Sequence, residues 1–277
     1  MTANDPAEPW IRHFRHSTTG GKVLMACLPH LDACSGGFRA FAEALAPSID
    51  VVAVRDPGAR NRIGSLTLDA VAARADRAAG ELRGEAGEHR GPVVLFGHGA
   101  GAVLAFEVAR RLERRRAEGP AALFVAGCRA PSRYHGADSA RRVLAPVVPL
   151  RGDHAWPSGR DGDEPPKPSE NVRTVETYFR AEDVTVGADI VALGAENDTR
   201  AEPADVRAWS LHTDSAFESR IFPGGPRFLN DHFTEVINLV TDFLLPLLGG
   251  DIIDFHRQPS GRETRPPLRE AGDLDGA

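Results

Sequence analysis

Short apolar runs alternate with amphipathic stretches through most of this chain. Residues 22–28 (KVLMACL) are almost continuously apolar and stop at Pro29, the pattern of a strand buried on both faces. Residues 50–54 (DVVAV), 93–96 (VVLF), 121–126 and 189–193 (DIVAL) predict further strands, and 217–222 predicts one more. Between them, Phe38, Phe41, Ala42 and Leu45 recur at helical spacing. Thr67 predicts an N-cap for a helix carrying Leu68, Val71, Ala72, Ala75, Ala79 and Leu82 on one side. Helices are also predicted over 102–115, over 203–212 with Pro203 opening it, and over 231–248. Strand and helix in alternation, with strands this apolar, predict an α/β fold: a mostly parallel central sheet covered by helices on both faces.

The alternation lapses over 135–172, which are rich in Pro, Gly, Arg and Asp. A long irregular insertion inside a compact domain predicts a lid. Residues 1–9 read as a flexible N-terminus, 10–248 as a single domain, and the polar Pro/Gly/Arg-rich 249–277 as a disordered tail. At 277 residues and 42% hydrophobic content the chain has enough apolar material for one core. Its net charge is −6, with Lys and Arg dispersed, which argues against nucleic acid or an anionic membrane surface as a partner. No apolar stretch reaches the ~20 residues needed to span a bilayer, and MTANDPAEPW has no basic segment leading into an apolar run. Cys27, Cys34 and Cys128 are an odd number, read as free thiols in a reducing compartment. A soluble cytoplasmic protein is expected, with no metal and no cofactor.

The candidate chemistry gathers at the turn after the third of these apolar bursts. In G-x-S-x-G the outer glycines permit a tight strand-to-helix turn that lifts the middle side chain above the sheet. Here the five residues are Gly97, His98, Gly99, Ala100 and Gly101. The frame is intact, but its centre is a glycine. A phosphate cradle is the competing reading of such a turn; G-x-G-x-x-G is not matched and no Walker lysine follows.

With those residues in view, the chain resembles the type II thioesterases that accompany polyketide synthases and nonribosomal peptide synthetases. WIRHF at 10–14, LPH at 28–30, FGHGAGAVLAFEVARRL at 96–112, RAPS at 129–132, VETYF at 175–179, AW at 208–209 and FPGGPRFLNDH at 222–232 are similar to that family's successive landmarks. The likeness covers residues 10–245 apart from the irregular insertion. It implies an α/β-hydrolase fold, a lid beside the active site, and substrates carried as thioesters on a phosphopantetheinyl arm. It also implies a small-molecule polyketide or peptide intermediate and an acyl or peptidyl carrier protein as partners.

Carried over residue by residue, the resemblance puts the family's nucleophilic serine at Gly99, its histidine at Pro226 and its acid at Asp198. Glycine has no nucleophile and proline no proton acceptor, so the acyl-enzyme route is expected to be closed. His232 lies six residues past Pro226 and is expected to cap or pack. The oxyanion-hole loop, near PHAGG in the family, reads Pro29-His30-Leu31-Asp32-Ala33-Cys34. Backbone N–H groups of Leu31 and Ala100 remain candidates to face a carbonyl oxygen, while Asp32 puts a carboxyl where glycine is expected. Asp32, Asp198, His30 and His98 are therefore candidate acid–base groups. Cys34, Tyr134 and His135 are weaker candidates for lining the cleft. The reading favoured at this stage is a repurposed enzyme that performs elimination, dehydration, cyclisation or isomerisation by proton transfer. The alternatives are a non-catalytic binding or chaperone protein for carrier-bound acyl chains, and a residual thioesterase.

Overall fold

The computed structural model describes residues 9–14, 21–29, 38–54, 68–115, 119–133 and 184–249. Among them seven strands form one sheet: β1 (Ile11–His13), β2 (Val23–Leu28), β3 (Ile49–Val54), β4 (Val93–His98), β5 (Ala122–Ala126), β6 (Asp189–Ala195) and β7 (Phe217–Phe222). Their order is β1-β3-β2-β4-β5-β6-β7. β1 is antiparallel to β3, and every other pairing is parallel. The chain steps outward from β2 to β3 and then returns across β2 to β4. The crevice at the carboxyl ends of β2 and β4 is thus a topological switch point, where open α/β sheets bind their ligands.

The helices are α1 (Phe38–Leu45), α2 (Leu68–His89), α3 (Ala100–Arg115), α4 (Pro203–Arg207), α5 (Phe228–Asp231) and α6 (Phe233–Leu248), with 3-10 turns at Pro131–Arg133 and Ala208–His212. Side chains alternate across each strand, so the continuous apolar runs feed two layers. Leu24, Ala26, Leu95, Leu123 and Val125 pack with α2 and α3 on one face. Met25, Cys27, Val94, Phe96 and Phe124 pack with α1 and α6 on the other. On that second face the Phe41 ring lies 5.1 Å from Phe96 and 5.5 Å from Phe233. Fully burying one such ring contributes roughly 1.5–3 kcal/mol, so this cluster fixes how α1 and α6 lie against the sheet.

The positions predicted to face inward from α1 are the buried ones, and so are Val71, Ala75, Ala79 and Leu82 of α2. Ala72 is only half-buried; its carbonyl accepts a bond from Arg111. Three features depart from the pattern-based expectation. β1 adds an edge strand where only a sequence landmark was read. The predicted helix over 203–212 is α-helical only to Arg207 and then tightens into a 3-10 turn. The predicted helix over 231–248 begins at Phe233, and a separate short helix, α5, precedes it, the two parted at His232, whose φ of −113° and ψ of 30° lie outside the helical range. Thr67, the N-terminal and C-terminal segments and the 135–172 insertion lie outside the described residues. No helix among the described residues is long and apolar enough to cross a membrane.

Candidate functional site

β4 ends in His98, which is 5% exposed, and passes into α3 through Gly99. Gly99 has a φ of +55°, a left-handed conformation that costs glycine little and strains other residues. Its N–H donates to the Ala126 carbonyl at 2.9 Å, and its own carbonyl accepts the Ala102 N–H at 2.9 Å. The glycines on either side have a different duty, which is close approach. A Cβ on Gly97 would collide with the Ala102 backbone, and one on Gly101 with the carbonyl oxygens of Leu28 and Pro29. The start of α3 therefore presses against the end of β2, which makes the turn as sharp as the sequence pattern requires. Ala100 is the first residue of α3 and is buried.

Two more loops reach this end of the sheet. A Cβ on Gly127, just past β5, would lie 3.6 Å from the Phe228 ring and 3.9 Å from the His98 ring. The segments after β4, β5 and β7 thus converge there. The loop after β6 carries Asp198, and the loop after β7 carries Pro226. The Asn197 N–H donates to the Gly224 carbonyl at 2.8 Å, so these two loops are joined by backbone.

Asp198 is 2% exposed, and Arg200 satisfies its carboxylate. Arg200 donates its backbone N–H at 3.0 Å and its Nε–H at 3.2 Å to Oδ1, and an Nη2–H at 3.3 Å to Oδ2. The loop is held again from the segment after β5: Arg129 donates Nε–H to the Arg200 carbonyl at 2.7 Å and pairs with Asp205 at 3.0 Å. Both carboxylate oxygens are thus taken up by a guanidinium that has no proton-transfer role at neutral pH. That arrangement suits structure better than proton shuttling.

His232 occupies the break between α5 and α6. Its Nε2 lies 3.1 Å from the Pro223 carbonyl and its Nδ1 3.1 Å from Glu235 Oε1. Both partners are acceptors, so the imidazolium form satisfies both. The hydrogen bond to Glu235, followed by the Pro223 carbonyl and the nearby Asp231 charge, raises its pKa against a smaller desolvation cost. The ring lies 5.4 Å from Phe222. As expected from sequence it packs, and it braces the first residue of the Pro226 loop. It makes no side-chain cap to the α6 backbone.

Of the other sequence-derived candidates, His30, Leu31, Asp32, Cys34, Tyr134 and His135 lie outside the described residues. Cys27 and Cys128 are buried free thiols, and burial pushes the Cys27 thiol far above its ordinary range, so it is a core residue and not a nucleophile. No cluster of His, Cys, Asp and Glu suited to a metal is found among the described residues. Sequence reasoning missed Arg200 and Arg129 as partners of the acid loop. The signal for Arg129 was its place in RAPS; for Arg200 it was only the turn-like NDTR.

The thioesterase domain family model matches residues 24–244. The chain is 32% identical over 269 residues to thioesterase PikA5 of Streptomyces venezuelae, covering 93% of this chain and 90% of that one. It is 30% identical to a probable cadicidin biosynthesis thioesterase of Streptomyces griseus, covering 88% of this chain and 68% of that one. Among solved structures, the type II thioesterase BorB from the borrelidin biosynthetic cluster superimposes with a TM-score of 0.60 at 27% identity, covering 85% of this chain and 96% of that one.

Proposed function

The chain belongs to the thioesterase domain family, and on that premise we propose that it is a type II thioesterase-like protein of polyketide or nonribosomal peptide biosynthesis that holds carrier-bound acyl chains without cleaving them through an acyl-enzyme. The observation that carries this reading is the turn at Gly99. Its backbone has the positive φ of an elbow that would present a nucleophile, and nothing beyond Cα projects from it. Thioester cleavage by this fold needs a hydroxyl or thiol activated by an adjacent base. Pro226 supplies no base, and Asp198 is engaged by Arg200. Losing one member of such a triad costs roughly 10⁴- to 10⁶-fold in turnover, and two are absent here. The biosynthetic setting is supported by BorB, named for the borrelidin cluster, and PikA5.

Engagement of Asp198 also shifts the balance between the two readings open from sequence. Acid–base chemistry on a biosynthetic intermediate loses one of its four candidate groups. His98, buried beside Gly99, is the observation that still favours it, together with His30 and Asp32. Calorimetric titration with an acyl-loaded and an unloaded carrier protein tests the holding function, with thiol release and product mass followed in parallel. Tighter binding of the loaded carrier, no thiol release and an unchanged acyl mass are expected. Loss of water or isomerisation of the acyl group would establish the acid–base reading instead. Equal affinity for both carriers, or no binding, would reject the holding function.

A further inference from the structure

Ser132 lies just before the segment that carries the 135–172 insertion, and Val184 is the first described residue after it. Both are bonded to the same imidazole. His212, 0% exposed at the end of its 3-10 turn, has Nδ1 3.0 Å from the Val184 carbonyl. Its Nε2 accepts the Ser132 N–H at 3.2 Å and lies 3.0 Å from Ser132 Oγ. A carbonyl only accepts and an amide only donates, so these partners fix a neutral ring with the proton on Nδ1. The edges of Phe106 and Trp209 close around it at 5.7 and 5.9 Å. We infer that His212 is a clasp at the base of the insertion, holding the Ser132 backbone on one side and Val184 on the other while the imidazole is neutral, so that acid breaks the bond from the Ser132 N–H.

Protonation would turn Nε2 into a donor: Ser132 Oγ can rotate its hydroxyl to accept that N–H, but the Ser132 backbone N–H would be left facing it, donor to donor, in a site without water-exposed surface. Burial lowers the His212 pKa, only partly offset by the Val184 carbonyl, so the ring resists that charge. Charged groups on the neighbouring elements are engaged elsewhere. Arg129 pairs with Asp205, and Arg133 is exposed. Glu113 of α3 accepts the N–H groups of Gly187 and Ala188 at 2.9 and 3.3 Å, and Arg110 pairs with Glu107. Asp214 accepts the Thr185 hydroxyl at 2.6 Å, and Asp189 accepts the Ser215 hydroxyl and the Ala216 N–H.

Those contacts make the two sides unequal. The Val184 side is fastened independently: Glu113 and Asp214 hold it, and Val186 pairs with Thr213 and donates its N–H to the His212 carbonyl at 3.1 Å. On the Ser132 side the fastenings sit upstream, at Cys128, whose carbonyl accepts the Trp209 indole N–H at 3.1 Å, at Arg129, and at Ala130, whose N–H donates to the Asp205 carbonyl at 3.1 Å. Acid should therefore loosen residues 131–133 and leave 184–188 in place. The segment that loosens adjoins Arg129, which holds the Asp198 loop, so the clasp links the state of the insertion's base to the candidate site.

The test is amide hydrogen exchange of the full chain from about pH 7.5 to about pH 5, corrected for intrinsic rates, with ¹⁵N imidazole spectra to read the His212 tautomer. The Nδ1–H tautomer is expected at the upper pH. Protection of the Ser132 amide should fall by about tenfold, the equivalent of one net hydrogen bond, as His212 gains its proton, with β4 and β5 amides unchanged. Ser132→Ala should keep most of the amide protection, because the N–H bond remains. His212→Phe should abolish it at every pH. If that variant does not fold, the wild-type titration decides alone. An Nε2–H tautomer, or Ser132 protection that stays constant while His212 titrates, would overturn the clasp.

Discussion

Arg200 grips both carboxylate oxygens of Asp198 from two residues along the same turn, with side-chain contacts of 3.2 and 3.3 Å. If, as proposed, Asp198 stands at the position of a triad acid, an imidazole would be its expected partner. Here the loop after β7 offers Pro226, and an unpartnered buried charge would be costly. The guanidinium resolves this locally, and Arg129 then ties the same turn to β5 through the Arg200 carbonyl. On the proposed carry-over Asp198 is the acid, and the partner the structure gives it is a permanent cation.

Arg200→Ala should therefore destabilise the protein by about 2–4 kcal/mol in urea unfolding. That is below the fully buried case, because the Arg200 side chain is partly exposed. Replacing both Asp198 and Arg200 by Ala should cost clearly less than the two single losses added together. Strict additivity would show that the pair does not act as a unit.

The three glycines of the elbow should separate by mechanism. Gly97→Ala and Gly101→Ala force a Cβ into backbone atoms, and each should cost about 1–3 kcal/mol or prevent folding. Gly99→Ser meets the positive φ instead, at a cost of about 1–2 kcal/mol. Thermal melts would check the ranking. It follows that glycine at position 99 relaxes a turn that a serine would strain.

Much of this arrangement was legible in the sequence, because the apolar runs and the G-x-x-x-G frame are local signals. Continuous burial along β2 and β4 needs only one run of residues to be recognised, and the elbow needs five. The short helix α5 and its break from α6 were hidden, since only the contacts of His232 with Pro223 and Glu235 reveal where one helix stops and the next starts. β1 was hidden for a different reason: three residues with Arg12 in the middle give too little alternation to read, and pairing with β3 forms the strand. The Asp198–Arg200 and Ser132–His212 pairs depend on how turns fold. The first is two residues apart and the second eighty, and neither spacing has a pattern of its own.

His232 and Glu235 give a pH prediction of defined sign. The raised pKa of His232 means that its contribution to stability is fully present below its unfolded value near ~6.5. That contribution is lost as pH rises through the higher folded value. Glu235→Gln should move the His232 titration, followed by NMR, back toward the ordinary value, since the Glu235 bond is the largest cause of the shift. A titration unmoved by that change would assign the shift elsewhere.

The most direct test of the account is intact-protein mass spectrometry after incubation with an acyl-pantetheine thioester and, separately, with an acyl-loaded carrier protein, alongside a thiol-release assay. The absence of a side chain at Gly99 and of a base at Pro226 predicts no acyl adduct and thiol release no faster than in buffer. A covalent acyl adduct that forms and turns over with brisk thiol release would contradict it.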